Sequence, residues 1–465
     1  MVSALEMEYD LLVLGAGPGG YVAAIRGAQL GLKTAVMEKK NIGGVCLNTG
    51  CIPSKSLISS ASVFSEVKRL EGMGVKTDLS GFDYGKVHGQ SRETAATLSK
   101  GVQYLLEKNG VTLIKEEGKL SGTHEVTTSS GRKIQACNIM IATGSRPRTI
   151  PGLEYDHTNV CSSEDMILCE VLPQSLCIIG GGAIGCEFAY IMNAFGVTVT
   201  LVEMTDHLLP NEDGEVAKVL ASSFKKKGIS VQLQSKAEIE SNTPDGVTVK
   251  ITNAKGKEKQ LQTEKVLVVT GRMPNTEGIG LEELGIVTDR GFIMVNENYQ
   301  TNVPSVYAIG DVIPGAMLAH AASKEGEYAS EFIAGRAEHK KELDSFVPGC
   351  VYCEPQVAGF GETQESAKAV DEDAKAFKFS FRGIGKAVAI NKSEGFVKII
   401  TDSRGKILGA HIIGEGATEM IHELALAAWK GIHVQDVADM IHAHPTLSEG
   451  IMECARGFDN KVIHG

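Results

Sequence analysis

A glycine fingerprint occurs twice in this chain, and it constrains the fold more than any other feature. Tyr9–Leu14 is an apolar run that enters Gly15-Ala16-Gly17-Pro18-Gly19-Gly20. Leu176–Ile179 is a second, entering Gly180-Gly181-Gly182-Ala183-Ile184-Gly185. Both fit G-x-G-x-x-G between a strand and a helix. The helices are expected over Tyr21–Gly31 and Cys186–Gly196. β-rich runs then end in Glu38 and Glu203, each 23 residues beyond its first glycine. Glycines at this spacing let the backbone approach a pyrophosphate, which rests on the positive end of the helix dipole. The acid accepts hydrogen bonds from a ribose hydroxyl. One such motif could mark no more than a tight turn. Two in the same register predict two nucleotide-binding units.

The repeat continues through Ile139–Gly144 and Val266–Gly271, two apolar runs that each end on Thr-Gly. The first unit spans 129 residues from fingerprint to Thr-Gly and the second 91. The excess falls around Cys46, Cys51 and the helical patterns of Ser59–Asn109. Thr301–Asp311, with a strand at Val306–Ile309, is too short for a domain and should return to the first unit. The alternating runs Phe377–Phe381, Gly395–Thr401 and Lys406–His411 read as antiparallel strands. A helix over Thr418–Lys430, closed by Gly431, follows them. The chain therefore divides into 1–150 (nucleotide-binding, with the cysteine insertion), 151–280 (nucleotide-binding), 281–345 (return segment) and 346–465 (α+β). The fold class is α/β: two Rossmann-like domains plus an α+β domain.

Composition excludes other classes. Of 465 residues 43% are apolar and 22% charged, a globular balance. A net charge of −11 argues against a nucleic-acid partner. No apolar run reaches the length of a membrane span. Met1–Asp10 is acidic, with neither a basic n-region nor an Arg-rich transit pattern. The expected location is cytoplasmic, the alternative being a mitochondrial matrix with the transit segment absent. Ten cysteines in so long a chain are not a secreted disulfide framework. Cys137, Cys177 and Cys186 should be buried small hydrophobes. Cys350-x-x-Cys353 has no second pair at zinc spacing and should be structural. No metal site is expected.

Gly43–Lys55 carries Cys46 and Cys51, with four residues between them, in a Gly-rich run that starts a helix. Positions five apart on a helix differ by about 140°. A sulfur–sulfur bond there needs a distorted turn, which Asn48 and Gly50 permit. A strained disulfide exchanges easily. A thiol at a helix N-terminus has a lowered pKa, which favours Cys46 as the reactive group. Near the C-terminus stand His442, His444 and Glu449. Thr446-x-x-Glu449 reads as a capping box; equally, Glu449 could orient His444 as a general base. Spacing alone does not separate the two.

Together these segments resemble the pyridine-nucleotide disulfide oxidoreductases, in order and over nearly the whole chain. The resemblance implies tightly bound, non-covalent FAD and NAD as co-substrate. The FAD site would comprise Gly15, Gly17, Gly19, Gly20, Glu38, Lys55, Gly118, Ala142, Thr143, Gly144, Asp311, Met317 and Ala319. NAD would use Gly180, Gly182, Gly185, Glu203 and Gly271. Cys46 would be the interchange thiol, Cys51 the flavin-side thiol, Glu187 the acid that pairs with Lys55, and His444 with Glu449 the base and its orienting acid. The implied activity is oxidation of protein-bound dihydrolipoamide by NAD+. The implied partners are a second copy of the chain, with His444 reaching the other copy's site, and the lipoyl domains of acyltransferases or of a glycine-cleavage H-protein. Glu203 should repel a 2′-phosphate, and no Arg or Lys stands near it, unlike glutathione-type relatives. Mercuric reductases usually end in a cysteine pair; here the C-terminal region has Cys454 alone. Cys353-Glu354-Pro355-Gln356 departs from the family's usual Thr-His/Glu-Pro-Glu.

Overall fold

The computed structural model describes residues 7–337 and 346–465. These fall into two compact units. One lies within Met1–Ser56, Gly85–Arg148 and Gly271–Glu342, the other within Leu57–Tyr84, Thr149–Thr270 and Leu343–Gly465. The compact units are thus cut differently from the four expected segments.

In the first unit, strand β1 (Tyr9–Leu14) leads to helix α1 (Pro18–Gln29) and strand β2 (Thr34–Met37). Short helix α2 (Gly44–Asn48), long helix α3 (Cys51–Gly72), which runs on into the second unit, and α4 (Tyr84–Lys108) follow. Next come β3 (Thr112–Ile114), β4 (Gly118–Gly122), β5 (Glu125–Thr128) and β6 (Lys133–Ile141). The sheet order is β3-β2-β1-β6-β5-β4. The end of β6 runs parallel to β1, with Leu14 opposite Ile141, while its start pairs antiparallel with β5. Leu11, Leu12 and Val13 have no exposed surface, because a parallel sheet covered on both faces needs an unbroken apolar strand. The return segment does what its length implies: Val306–Ala308 pairs parallel to β6, Val306 opposite Ile139.

α1 starts at Pro18, inside the fingerprint, not at the expected Tyr21. The helix from Ala183 to Ala194 likewise starts three residues before the expected Cys186. The N-caps are Gly17 and Gly182, in nearly the same extended conformation (φ −70°, ψ −178° and φ −72°, ψ −174°). Apolar periodicity begins only after the glycines, so pattern alone sets the helix start too late.

The second unit has a parallel sheet ordered 230–232, 198–202, 175–179, 265–268 and 160–161. A three-stranded antiparallel sheet spans Ser235–Thr243, Gly246–Asn253 and Glu258–Thr263. The tail forms an antiparallel sheet ordered 349–351, 357–361, 407–413, 396–401 and 375–380, and the helix Ala417–Lys430 packs against it. That helix ends at Gly431 with φ 66°, as its sequence predicts. Among the described residues no helix is long and apolar enough to cross a membrane.

Candidate active site

The two fingerprints superimpose in their chemistry. A β-carbon on Gly20 would lie 1.9 Å from the Gly15 carbonyl oxygen, and one on Gly185 would lie 1.9 Å from that of Gly180. Gly15 (φ 105°) and Gly180 (φ 116°) are in the region that favours glycine. Gly17 and Gly182 have open space where a side chain would stand, and neither helix has a side-chain cap. Each helix therefore offers uncapped N–H groups beside a gap, the arrangement that receives a phosphate. Each acid folds back on its own fingerprint. Glu38 accepts from the Ala16 N–H at 3.0 Å and the Lys40 N–H at 2.8 Å. Glu203 accepts from the Gly181 N–H at 2.6 Å and from the Thr205 N–H and Oγ1 at 2.8 and 3.0 Å. The residues present fit two dinucleotides.

Other candidates surround the first fingerprint. Gly19 packs against the helix Ala319–Ile333, where a β-carbon would meet the Ala322 oxygen at 3.0 Å. Met317, just ahead of that helix, is held at φ 52°. Asp311 sits in a 3₁₀ turn after Val306–Ala308 and accepts from Ser145 Oγ. Thr143 donates to the Asn275 carbonyl, and the Asn275 amide donates to the Thr143 carbonyl, at 2.7 and 3.0 Å. The pinning of Ala142-Thr143-Gly144 by Asn275 comes from the structure. Gly118 has a packing reason for being glycine, since a β-carbon would meet Met37 Sδ at 2.9 Å. Gly271 (φ 127°) accepts the Arg148 N–H at 3.1 Å.

The cysteines come together. Cys46 is in the third position of α2, Cys51 begins α3, and the Cys46 thiol is hydrogen-bonded to Cys51. Lys55 and Asp311 act on the same thiol. The expected lowering of the Cys46 pKa does not hold. The bond to Cys51, then burial, then the Cys51 charge push the thiol pKa well up, with Asp311 adding to the rise and Lys55 opposing it. Cys51 is exposed and Cys46 half-buried. Tyr21, which the sequence did not single out, has its hydroxyl pKa raised by burial and then by Cys46.

In the second unit His444 Nδ1 meets Glu449 Oε1 at 2.9 Å. The other carboxylate oxygen accepts the Thr446 N–H at 2.9 Å. The capping box does not close: Thr446 Oγ1 donates to the Ala443 carbonyl, and the helix cap is Ser448. Burial would raise the Glu449 pKa, but Thr446, His444 and His442 hold it below the ordinary carboxylate range. The His444 side chain is 76% exposed, whereas that of His442 is 2% exposed and bound to Glu423. Of these two histidines His444 is the exposed one. Glu187 is buried and accepts the Tyr352 N–H at 3.0 Å. Glu354 pairs with Lys392 and accepts from Tyr190, and Gln356 accepts from Thr418, so the departing segment is satisfied locally. Cys177, Cys186 and Cys353 are buried; Cys137 is half-buried rather than buried as expected, because along its strand it alternates with the buried Ile134 and Ala136. Among the described residues no group of His, Cys, Asp or Glu could hold a metal ion.

A nucleotide fold used twice, with a dithiol in the loop after the first fingerprint, defines a disulfide-exchanging oxidoreductase. Comparison places the chain within that class. Residues 9–326 match the pyridine nucleotide-disulphide oxidoreductase family and residues 347–455 its dimerisation domain, so the chain belongs to this family. It is 43% identical to a dihydrolipoyl dehydrogenase of Bacillus subtilis over 99% of this chain and 100% of that one. It is 42% identical to one from Zymomonas mobilis, covering 98% and 99%, and 40% to a mitochondrial one from Pisum sativum, covering 98% and 93%. Among solved structures it resembles LpdA from Mycobacterium tuberculosis at a TM-score of 0.88 with 28% identity, covering 96% and 99%. It also resembles the HOCl-induced flavoprotein disulfide reductase RclA from Escherichia coli, at 0.85 and 25% with the same coverage.

Proposed function

We propose that this chain oxidises protein-bound dihydrolipoamide to lipoamide through Cys46 and Cys51 and delivers the electrons, through FAD, to NAD+. The observation that carries the reading is the Cys46–Cys51 contact beside Lys55 and Asp311, in the unit that holds the first fingerprint. The full-length relatives named dihydrolipoyl dehydrogenase support the substrate class. FAD is held by Gly15, Gly17, Gly19, Gly20, Glu38, Gly118, Ala142–Gly144, Asp311, Met317 and Ala319. NAD is held by Gly180, Gly182, Gly185, Glu203 and Gly271. Glu203 is buried and carries three donors at its carboxylate. A second negative charge at the ribose would meet that carboxylate, and the stretch Glu203–His207 holds no Arg or Lys to offset it, which favours NAD over NADP.

The chain's own residues carry the exchange. Glu449 holds His444 by Nδ1, leaving Nε2 to take a proton from the first substrate thiol. The resulting thiolate attacks Cys46 Sγ of the Cys46–Cys51 disulfide. The sulfur–sulfur bond breaks and Cys51 leaves as a thiolate. The second substrate sulfur, deprotonated in turn, attacks the first, closes the lipoamide ring and frees Cys46. Lys55 eases negative charge on Cys46. Bound flavin supplies the two-electron relay between the dithiol and the nicotinamide.

The segments 1–150 and 281–345 form the FAD domain, 151–280 the NAD domain and 346–465 the interface. In a homodimer, His444 serves the site of the other chain. Partners are lipoyl domains of acyltransferases or of a glycine-cleavage H-protein, and the compartment is the cytoplasm or, as for the pea relative, a mitochondrion. The test is NADH formation from dihydrolipoamide and NAD+. Wild type should turn over, while Cys46→Ser and Cys51→Ser should not. Turnover of glutathione disulfide with NADPH, and none of dihydrolipoamide, would overturn the reading.

A further inference from the structure

Three side chains of α4 hold three carbonyls of the cysteine segment. Ser99 Oγ donates to the Ile42 carbonyl at 2.5 Å, Arg92 Nη1 to the Asn48 carbonyl at 2.6 Å, and Ser91 Oγ to the Pro53 carbonyl at 3.3 Å. Ile42 precedes Cys46 and Pro53 follows Cys51. Asn48 alone lies between the two cysteines, at the end of α2. Its carbonyl has no partner further along that helix, because a helix leaves its last carbonyls unpaired. Arg92 and Ser99, seven residues apart, share one face of α4. The Asn48 side chain closes the same turn from within, donating to the Ile42 and Gly44 carbonyls at 3.0 and 2.9 Å.

We propose that Arg92 is a positioning residue for the Cys46–Cys51 pair, fixing the turn between the two sulfurs through the Asn48 carbonyl. The proposal rests on the redox reading above. Two thiols close a disulfide in proportion to how tightly the chain holds them together, so a loosened turn favours the open dithiol. Arg92 works through the backbone. The charges that weigh most on the Cys46 thiol are those of Cys51, Lys55 and Asp311. If its own positive charge dominated, removing it would disfavour the thiolate-bearing dithiol and shift the equilibrium the other way. The sign of the effect therefore separates positioning from charge.

The experiment equilibrates the flavin-loaded enzyme in dithiothreitol redox buffers and counts alkylated Cys46 and Cys51 by mass spectrometry. Wild type is compared with Arg92→Met, Arg92→Lys and Thr94→Val, whose hydroxyl bonds only within α4. Loss of a charge-assisted hydrogen bond should shift the Arg92→Met equilibrium about tenfold toward the dithiol. Arg92→Lys should recover most of that shift, and Thr94→Val should match wild type. An unchanged Arg92→Met, or a shift toward the disulfide, overturns the proposal. Should Arg92→Met not fold, Arg92→Gln, a shorter neutral donor, decides by the same sign. If Cys46 and Cys51 never form a disulfide in wild type, the redox reading itself falls, an outcome distinct from failure of the Arg92 role.

Discussion

The glycines of the second fingerprint separate binding from folding, because a methyl group at two of them has opposite structural consequences. At Gly185 the added β-carbon would stand 1.9 Å from the Gly180 carbonyl oxygen and 3.4 Å from Ile178. The obstacle is backbone, so the helix must move about 1.1 Å to restore a 3.0 Å contact. Every residue of that helix from Gly185 to Met192 is buried. Displacing it strains the core, at a cost of about 1–3 kcal/mol. At Gly182 the β-carbon would meet nothing within 4 Å, and φ −72° suits alanine. The chain should fold as before, with the methyl standing where the pyrophosphate approaches. Gly182→Ala should therefore keep the wild-type melting temperature and bind NADH at least about tenfold more weakly, equivalent to about 1.4 kcal/mol. Gly185→Ala should lose both stability and affinity. Melting curves and NADH titration of the flavin-loaded proteins measure this. A Gly182→Ala enzyme that binds NADH like wild type would refute the placement of the pyrophosphate.

Alkylation should depend on flavin: the bare chain should react first at exposed Cys51, and flavin should protect Cys51 and pass the label to Cys46. Label at Cys46 in both forms would break the assignment of the two thiols. Glu203→Ala combined with Met204→Arg should move preference from NADH toward NADPH, read as the ratio of kcat/KM; a wild type that already uses both equally contradicts the charge argument. Burial would lower the His411 pKa, but the bond to Glu212 prevails and raises it above the usual histidine value. Such a group stabilises the fold fully below about pH 6.5 and loses that contribution as pH rises through its raised folded value. The melting-temperature gap between wild type and Glu212→Gln should thus be widest at mildly acidic pH, where the carboxylate is still charged, and shrink as pH rises; a gap independent of pH would refute this.

The architecture was legible because its signals are local. A repeated glycine spacing, an apolar run before it and an acid after it fall within a few dozen residues. Helix starts were not, because Gly17 and Gly182 cap by backbone conformation and leave no side-chain signature. The Cys46 thiol pKa is raised rather than lowered because its bond to Cys51 and its burial outweigh the helix entry, and neither can be read from spacing. Glu449 looked like either a cap or an orienting acid, and the structure gives its two oxygens one duty each. Lys398, fully buried against Asp213, could have been suspected from a lysine inside an apolar strand, but its partner is 185 residues away. Arg92 had no local signal at all, since its meaning depends on where α4 crosses the cysteine segment.

In the proposed mechanism the cysteine pair and its base belong to different chains. A Cys51→Ala chain and a His444→Ala chain, each nearly inactive, are mixed under conditions where subunits demonstrably exchange. Random pairing makes half the dimers mixed, and each mixed dimer regains one of two sites, so dihydrolipoamide oxidation should recover toward about a quarter of the wild-type rate. No recovery despite exchange would show that His444 serves its own chain or is not the base.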